Sequence, residues 1–186
     1  MLRLIFTLDY EIHGNGDGDP MHLMIEPTYR LMSLLEKYGY RVTIFADMAE
    51  IMKFHDYSVM YNEDRFHFLK IREQLQNAVL RGHDVQLHIH SSWFSAEYRN
   101  DRWEQSWHEY DFASLGYKKI DARITECKRF LEDIIREKVP AYRCHVFRAA
   151  NWAMQPTSDI ARSLTSNGID IDTTVYKNGR QNEWIN

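Results

Sequence analysis

Apolar and polar positions alternate along residues 2–11, LRLIFTLDYE. Leu4, Phe6, Leu8 and Tyr10 share one parity; Ile5, Thr7, Asp9 and Glu11 share the other. That is the period of a strand. HGNGDGDP (13–20) is rich in turn formers and predicts a loop closed by Pro20. The period becomes helical over about 26–38, where Leu31, Leu34, Leu35 and Tyr38 recur and Gly39 supplies the stop. RVTIFAD (41–47) is apolar and β-branched, so a second strand is expected. A helix over about 64–81 follows, with Phe68, Ile71, Leu75, Ala78 and Val79 on one stripe and Gly82 just past its end. GHDVQLHIHSSW (82–93) then opens a third strand. Residues 94–118 show no clean period and predict a long loop with short helical pieces; loops of that length inside a compact domain are usually functional. Ile120, Ile124, Cys127, Phe130, Leu131, Ile134 and Ile135 mark a helix over 119–138. A strand over 141–147, a helix over 157–166 and a strand over 169–175 complete the pattern.

Strands alternating with helices argue for an α/β fold with a parallel sheet or barrel. At 186 residues one domain is expected. The net charge of -4 and the lack of any Lys/Arg block exclude nucleic acid as an expected partner. Cys127 and Cys144 form neither a disulfide framework nor a C-x-x-C pair, which suits a reducing compartment. The first apolar run is too short for a leader and meets an acid at Asp9, and no stretch approaches the ~20 apolar residues of a membrane span. A cytoplasmic protein without a membrane span is expected.

Parity also organises the candidate chemistry. In the third strand Asp84, Gln86, His88 and His90 point one way, and Val85, Leu87 and Ile89 the other. A lone strand histidine is ordinarily structural, but two imidazoles two residues apart on one face can reach one metal ion, and neutral imidazole suits zinc and similar ions. His83 has the opposite parity and reads as structural or as support for the ligands. Asp9 and Glu11 share a face at the end of the first strand. Side by side in a low-dielectric site they repel unless a cation is present. In α/β folds the C-terminal ends of strands are where sites form.

FTLDYE (6–11), GHDVQLHIH (82–90), FRAANWAMQP (147–156) and GIDIDTTV (168–175), in this order, resemble the motifs of the polysaccharide deacetylase family (carbohydrate esterase family 4), over essentially the whole chain. The resemblance implies a distorted (β/α) barrel, with about five β/α units present and the C-terminal part missing. It implies removal of N-acetyl groups from a polysaccharide or glycan precursor with the help of one divalent metal, commonly zinc. Asp9 matches the catalytic base and Arg148 the arginine that holds it. His88 matches the first metal histidine. The second is expected at position 92, which is Ser92, so His90 would substitute. Tyr10 stands where a metal-binding aspartate is usual, so Glu11 would be the carboxylate ligand, as in related branches with D-x-E. Asn151 and Trp152 replace a Pro-Tyr pair that shapes the oxyanion region.

Trp93, Trp103, Trp107 and Trp152 could stack on sugar rings, although core packing is the commoner fate of a tryptophan. Trp93, next to the histidine strand, is the first candidate. His13, His22, His55, His67, His108 and His145 have no partner at metal spacing. Three rivals stand beside the deacetylase reading. One is another metal-dependent hydrolase of C–N bonds, opening cyclic amides or ureides on the same scaffold. Another is an amidohydrolase barrel, although its H-x-H belongs on the first strand. The last is a carbohydrate-binding homologue without turnover, which Ser92 and Tyr10 favour.

Overall fold

The structure is a computed structural model and describes residues 3–12 and 16–175. Among the described residues five strands form one sheet: β1 (Phe6–Tyr10), β2 (Val42–Asp47), β3 (Asp84–Ile89), β6 (Val146–Ala149) and β7 (Ile171–Asp172). They lie side by side in chain order and every adjacent pair is parallel. A doubly wound sheet reverses its strand order at a switch point; among the described residues this one does not. Right-handed crossovers that always step the same way lay their helices on one face. β1 and β7 are the edges of the sheet among the described residues.

The helices are α1 (Glu26–Lys37), α2 (Met48–Tyr61), α3 (Phe68–Leu80), α4 (Tyr117–Arg136) and α5 (Thr157–Ser166). α1 continues from a π-helical turn, Met21–Ile25, and ends at Gly39, whose φ of 75° suits a residue without Cβ. α3 is started by Asp64, whose carboxylate accepts the Phe68 and Leu69 N–H groups at 2.6 and 3.2 Å. α4 buries Ile120, Ile124, Cys127, Leu131, Ile134 and Ile135, the stripe its sequence predicts. These faces join Ile44, Ala46, Val85, Leu87, Ile89, Phe147 and Ala149 in one core. Both cysteines are buried there as free thiols.

α2 is an element the periodicity does not predict. Its first half is buried nearly all round, with Met48, Ala49, Ile51 and Phe54 in the core and the acid Glu50 buried among them, while Val59, Met60 and Tyr61 at its far end are exposed. No single stripe therefore appears in the sequence. The expected loop at 94–118 holds a hairpin, β4 (Glu97–Arg99) with β5 (Arg102–Glu104), and two 3-10 turns. Asn100 and Asp101 form its two-residue turn with φ of 50° and 58°, the left-handed pair a tight hairpin needs. Three strand limits also shift. β1 begins at Phe6 rather than 2, β6 spans Val146–Ala149 rather than 141–147, and β7 is only Ile171–Asp172. The shift in β6 places Arg148 inside a strand.

The register aligns the other face of the sheet. Asp9 pairs with Phe45 and Phe45 with Gln86; one step on, Asp47 pairs with His88 and His88 with Arg148. Gln86 is structural: its Oε1 accepts the His145 and Val146 N–H groups at 3.0 and 2.8 Å and so docks β6. His83 lies at the opposite end of the sheet. Its Nδ1 accepts the Val42 N–H at 3.2 Å and its Nε2–H donates to Glu36 at 2.9 Å.

Candidate metal centre

Glu11, His88 and His90 converge at the C-terminal ends of β1 and β3, with a ligating atom from each lying within 4.8 Å of the others. His88 is 2% exposed. Its Nδ1 lies 2.8 Å from the Arg148 carbonyl oxygen, which can only accept, so Nδ1 carries the proton. In the neutral ring Nε2 is then a lone pair. It is buried and has no hydrogen-bond partner among the described residues. The Glu11 Oε2 lies 3.6 Å away, itself an acceptor. A lone pair facing a carboxylate in a buried site costs about 1–3 kcal/mol unless a proton or cation lies between them. Imidazole nitrogen and carboxylate oxygen are the donor types that zinc and similar ions take, so the residues present fit a divalent metal.

The His90 ring stands edge-on to His88, with centroids 4.9 Å apart at 83°. Its Nδ1 is 2.8 Å from the Glu11 Oε2 and 2.9 Å from the Asp47 Oδ2. Burial disfavours the charged imidazole, but hydrogen bonding and attraction from Asp47 and then Glu11 outweigh it and raise the His90 pKa well above the ordinary range. Burial likewise pushes the Glu11 carboxyl up, and the two imidazoles outweigh that and hold it well below the usual carboxylate range.

Two acids of this site escape the sequence reading. Asp47 ends β2 with no exposed surface and caps α2, its Oδ1 accepting the Ala49 N–H at 3.1 Å and the His90 N–H at 3.2 Å. Glu50 is equally buried and accepts the Ile12 N–H at 3.1 Å. Burial, with Asp47 adding to it, raises the Glu50 carboxyl well above its usual range. The available signal was D-x-x-E at the end of a strand, a capping-box spacing.

Asp9 sits beside this group, paired with Arg148. The arginine fork also donates to the Thr7 hydroxyl and, through Nε, to the Thr173 hydroxyl, each at 3.2 Å. Its guanidinium carbon lies 3.9 Å from the Phe45 ring centroid. Thr174 braces the same strand by accepting the Ala149 N–H at 2.8 Å. The D-T-T triplet at 172–174 therefore serves to hold Arg148 and β6.

The remaining candidates divide. Ser92 is buried and donates to the Gln105 Oε1 at 2.7 Å, outside the three-residue group. Tyr10 points into the helix-covered core, its hydroxyl donating to Gln74 at 2.6 Å. Trp93, expected as a sugar platform, is 2% exposed and packs edge-on to Phe54 and Trp103. A buried ring has no open face for a ligand, and the structure puts Trp93 in the core. Trp152 is exposed; Asn151 accepts a 2.7 Å hydrogen bond from the Tyr110 hydroxyl, and both residues take left-handed backbone with φ of 55° and 52°. Among the described histidines, His22 and His67 lie against Asp19, and His55 packs on Phe68 and Phe130. His13 lies outside the described residues. Clefts of about 270 and 620 Å³ occur elsewhere, and neither is lined by Glu11, His88 or His90.

The fold and this site define an α/β protein with a parallel sheet and a candidate metal centre of one carboxylate and two imidazoles. Compared with protein-family models, curated proteins and solved structures, the chain finds no match. Among the described residues no helix is long and apolar enough to cross a membrane.

Proposed function

We propose that this chain is a metal-dependent hydrolase of the polysaccharide deacetylase type, releasing acetate from N-acetylated carbohydrate. The observation that carries the reading is the buried His88 Nε2, without a hydrogen-bond partner among the described residues and facing Glu11, beside an acid held by an arginine. Glu11, His88 and His90 would hold the ion, zinc being the first expectation from its ligand preferences. A divalent ion there supplies acidification of water and polarisation of an amide carbonyl. Asp9 is the base that takes a proton from the attacking water. Arg148 fixes the Asp9 carboxylate by a charge-assisted bond. Asn151 and Trp152 follow β6 at the same end of the sheet and would meet the sugar. The one-way strand order is compatible with the winding of a (β/α) barrel, and a distorted barrel is the architecture this reading expects. A hydrolase of cyclic amides or ureides would use the same groups.

The second reading is a carbohydrate-binding homologue without turnover, which Ser92 favours because its hydroxyl is spent on Gln105. Elemental analysis of the purified chain, with His88→Ala and His90→Ala variants, tests the first. About one ion per chain is expected, lost in both variants, together with acetate release from N-acetylated oligosaccharides. A wild type that takes up no zinc, cobalt or nickel overturns the hydrolase reading. Metal without acetate release points to the cyclic-amide alternative.

A further inference from the structure

His90 owes its orientation to a residue on the neighbouring strand. Asp47 is fully buried, and its carboxylate grips His90 twice: Oδ1 accepts the backbone N–H at 3.2 Å, and Oδ2 lies 2.9 Å from ring Nδ1. The grip is rigid. Oδ1 also accepts the Ala49 N–H at 3.1 Å and, more distantly, the Glu50 N–H at 3.5 Å, so the carboxylate is tied to the first turn of α2. The β2–β3 register pairs Asp47 with His88, which brings the carboxylate against the H-x-H segment. Both Asp47 oxygens are committed to protein donors, and Asp47 stands outside the group whose ligating atoms cluster. Its geometry is that of a support and not of a ligand.

Glu11 approaches the same His90 nitrogen at 2.8 Å. A single N–H cannot serve two carboxylates fully. Glu11 lies just past the edge strand and its side chain is 18% exposed, whereas that of Asp47 has no exposure. The immobile partner is Asp47. With Nδ1–H given to Asp47, the lone pair of the neutral ring resides on Nε2.

We propose that Asp47 is the positioning residue of this centre, holding the His90 Nδ1–H so that Nε2 is the nitrogen offered to the ion. The proposal rests on the metal reading above and extends it to a carboxylate–histidine–metal arrangement, in which the outer carboxylate fixes both tautomer and ring angle. It also explains how His90, two residues after His88 instead of four, can serve as a ligand. The strand alone would leave its ring free to turn, and Asp47 stops it.

The test is zinc affinity of the full chain, measured against a chromophoric chelator, with the visible spectrum of the cobalt(II) form alongside. Asp47→Asn keeps the oxygen that caps α2 but replaces the ring's acceptor. It is expected to weaken zinc binding about 10- to 100-fold and to shift the cobalt bands. Asp47→Ser, another good cap, should do the same, so a folding failure in one variant leaves the other to decide. His90→Ala loses the ion on purification, so its weakened site is titrated with excess zinc; in that background the Asp47→Asn penalty should vanish, because Asp47 acts through His90. Wild-type affinity and spectrum in Asp47→Asn would overturn the role and leave Asp47 a helix cap. A full penalty that persists without His90 would also overturn it, making Asp47 a ligand itself. A wild type that binds neither metal fails earlier, at the metal reading.

Discussion

Replacing Trp93 by alanine separates a core residue from a substrate platform. The ring is 2% exposed and touches Phe54 and Trp103 at centroid distances of 6.0 and 5.5 Å, both edge-on. Gly16 lies over it so closely that a Cβ there would come within 2.4 Å of the ring. Removing a fully packed tryptophan costs about 3–5 kcal/mol through lost transfer energy and the cavity left behind. Each edge-to-face pair is worth about 0.5–1.5 kcal/mol and falls within that total. Partial collapse of Phe66 and Trp103, whose rings are 5.1 Å apart, into the gap would put the loss toward the lower end. Urea unfolding followed by far-UV circular dichroism measures it. The midpoint should fall by an amount that, with an unchanged slope, converts to at least about 3 kcal/mol. Trp152→Ala, at a residue 56% exposed, should cost less than about 1 kcal/mol. A Trp93→Ala variant as stable as the parent but impaired in binding carbohydrate would refute the packing argument and restore Trp93 as a platform.

Arg148→Lys keeps the charge but loses the fork that reaches Asp9, Thr7 and Thr173 together. Because the pair is partly exposed, the stability loss should be about 1–2 kcal/mol in a thermal melt, while acetate release should fall about 100-fold or more; unchanged turnover would remove Arg148 from the mechanism. At the far end of the sheet, Arg81 and His83 hold the Glu36 carboxyl down to about 2. Its contribution to stability is present above the ordinary value of 4.5 and is lost as the pH falls toward about 2. Glu36→Gln should flatten that acid limb in unfolding measurements between pH 5 and 2, and an unaltered limb would show that the Arg81–Glu36–His83 contacts add nothing.

The parity of D-x-E and H-x-H was legible because a strand's period is local: two residues of equal parity share a face whatever surrounds them. The stripe of α4 was legible for the same reason, since one side of it meets the core. α2 was not, because its buried half sinks Glu50 together with the apolar residues and its far end exposes Val59, Met60 and Tyr61. With that helix unseen, Asp47 looked like the last residue of a strand; the D-x-x-E spacing carried the one signal of its cap, and its reach to His90, 43 residues on, had none. Trp93 shows a different limit. Whether a tryptophan faces inward depends on Phe54, Phe66 and Trp103, which arrive from other segments, and nothing within GHDVQLHIHSSW encodes their positions. The hairpin turn at Asn100-Asp101 carried a usable signal, as both residue types tolerate left-handed backbone.

Among the described residues β1 is the outermost strand on its side of the sheet, bonded to β2 alone, and Glu11 extends directly from it. An ion shared by Glu11, His88 and His90 would rivet that border strand to the middle of the sheet, across 77 residues of chain from Glu11 to His88. Occupancy would then govern more than chemistry. Saturation at 100 times the dissociation constant adds about 2.7 kcal/mol to the folded state. That gain would be felt most where local opening is otherwise cheapest, at the sheet's margin. The amide protons of Phe6–Tyr10 would be shielded from solvent exchange in proportion to ion concentration, so the edge of the fold would itself report whether the centre is filled.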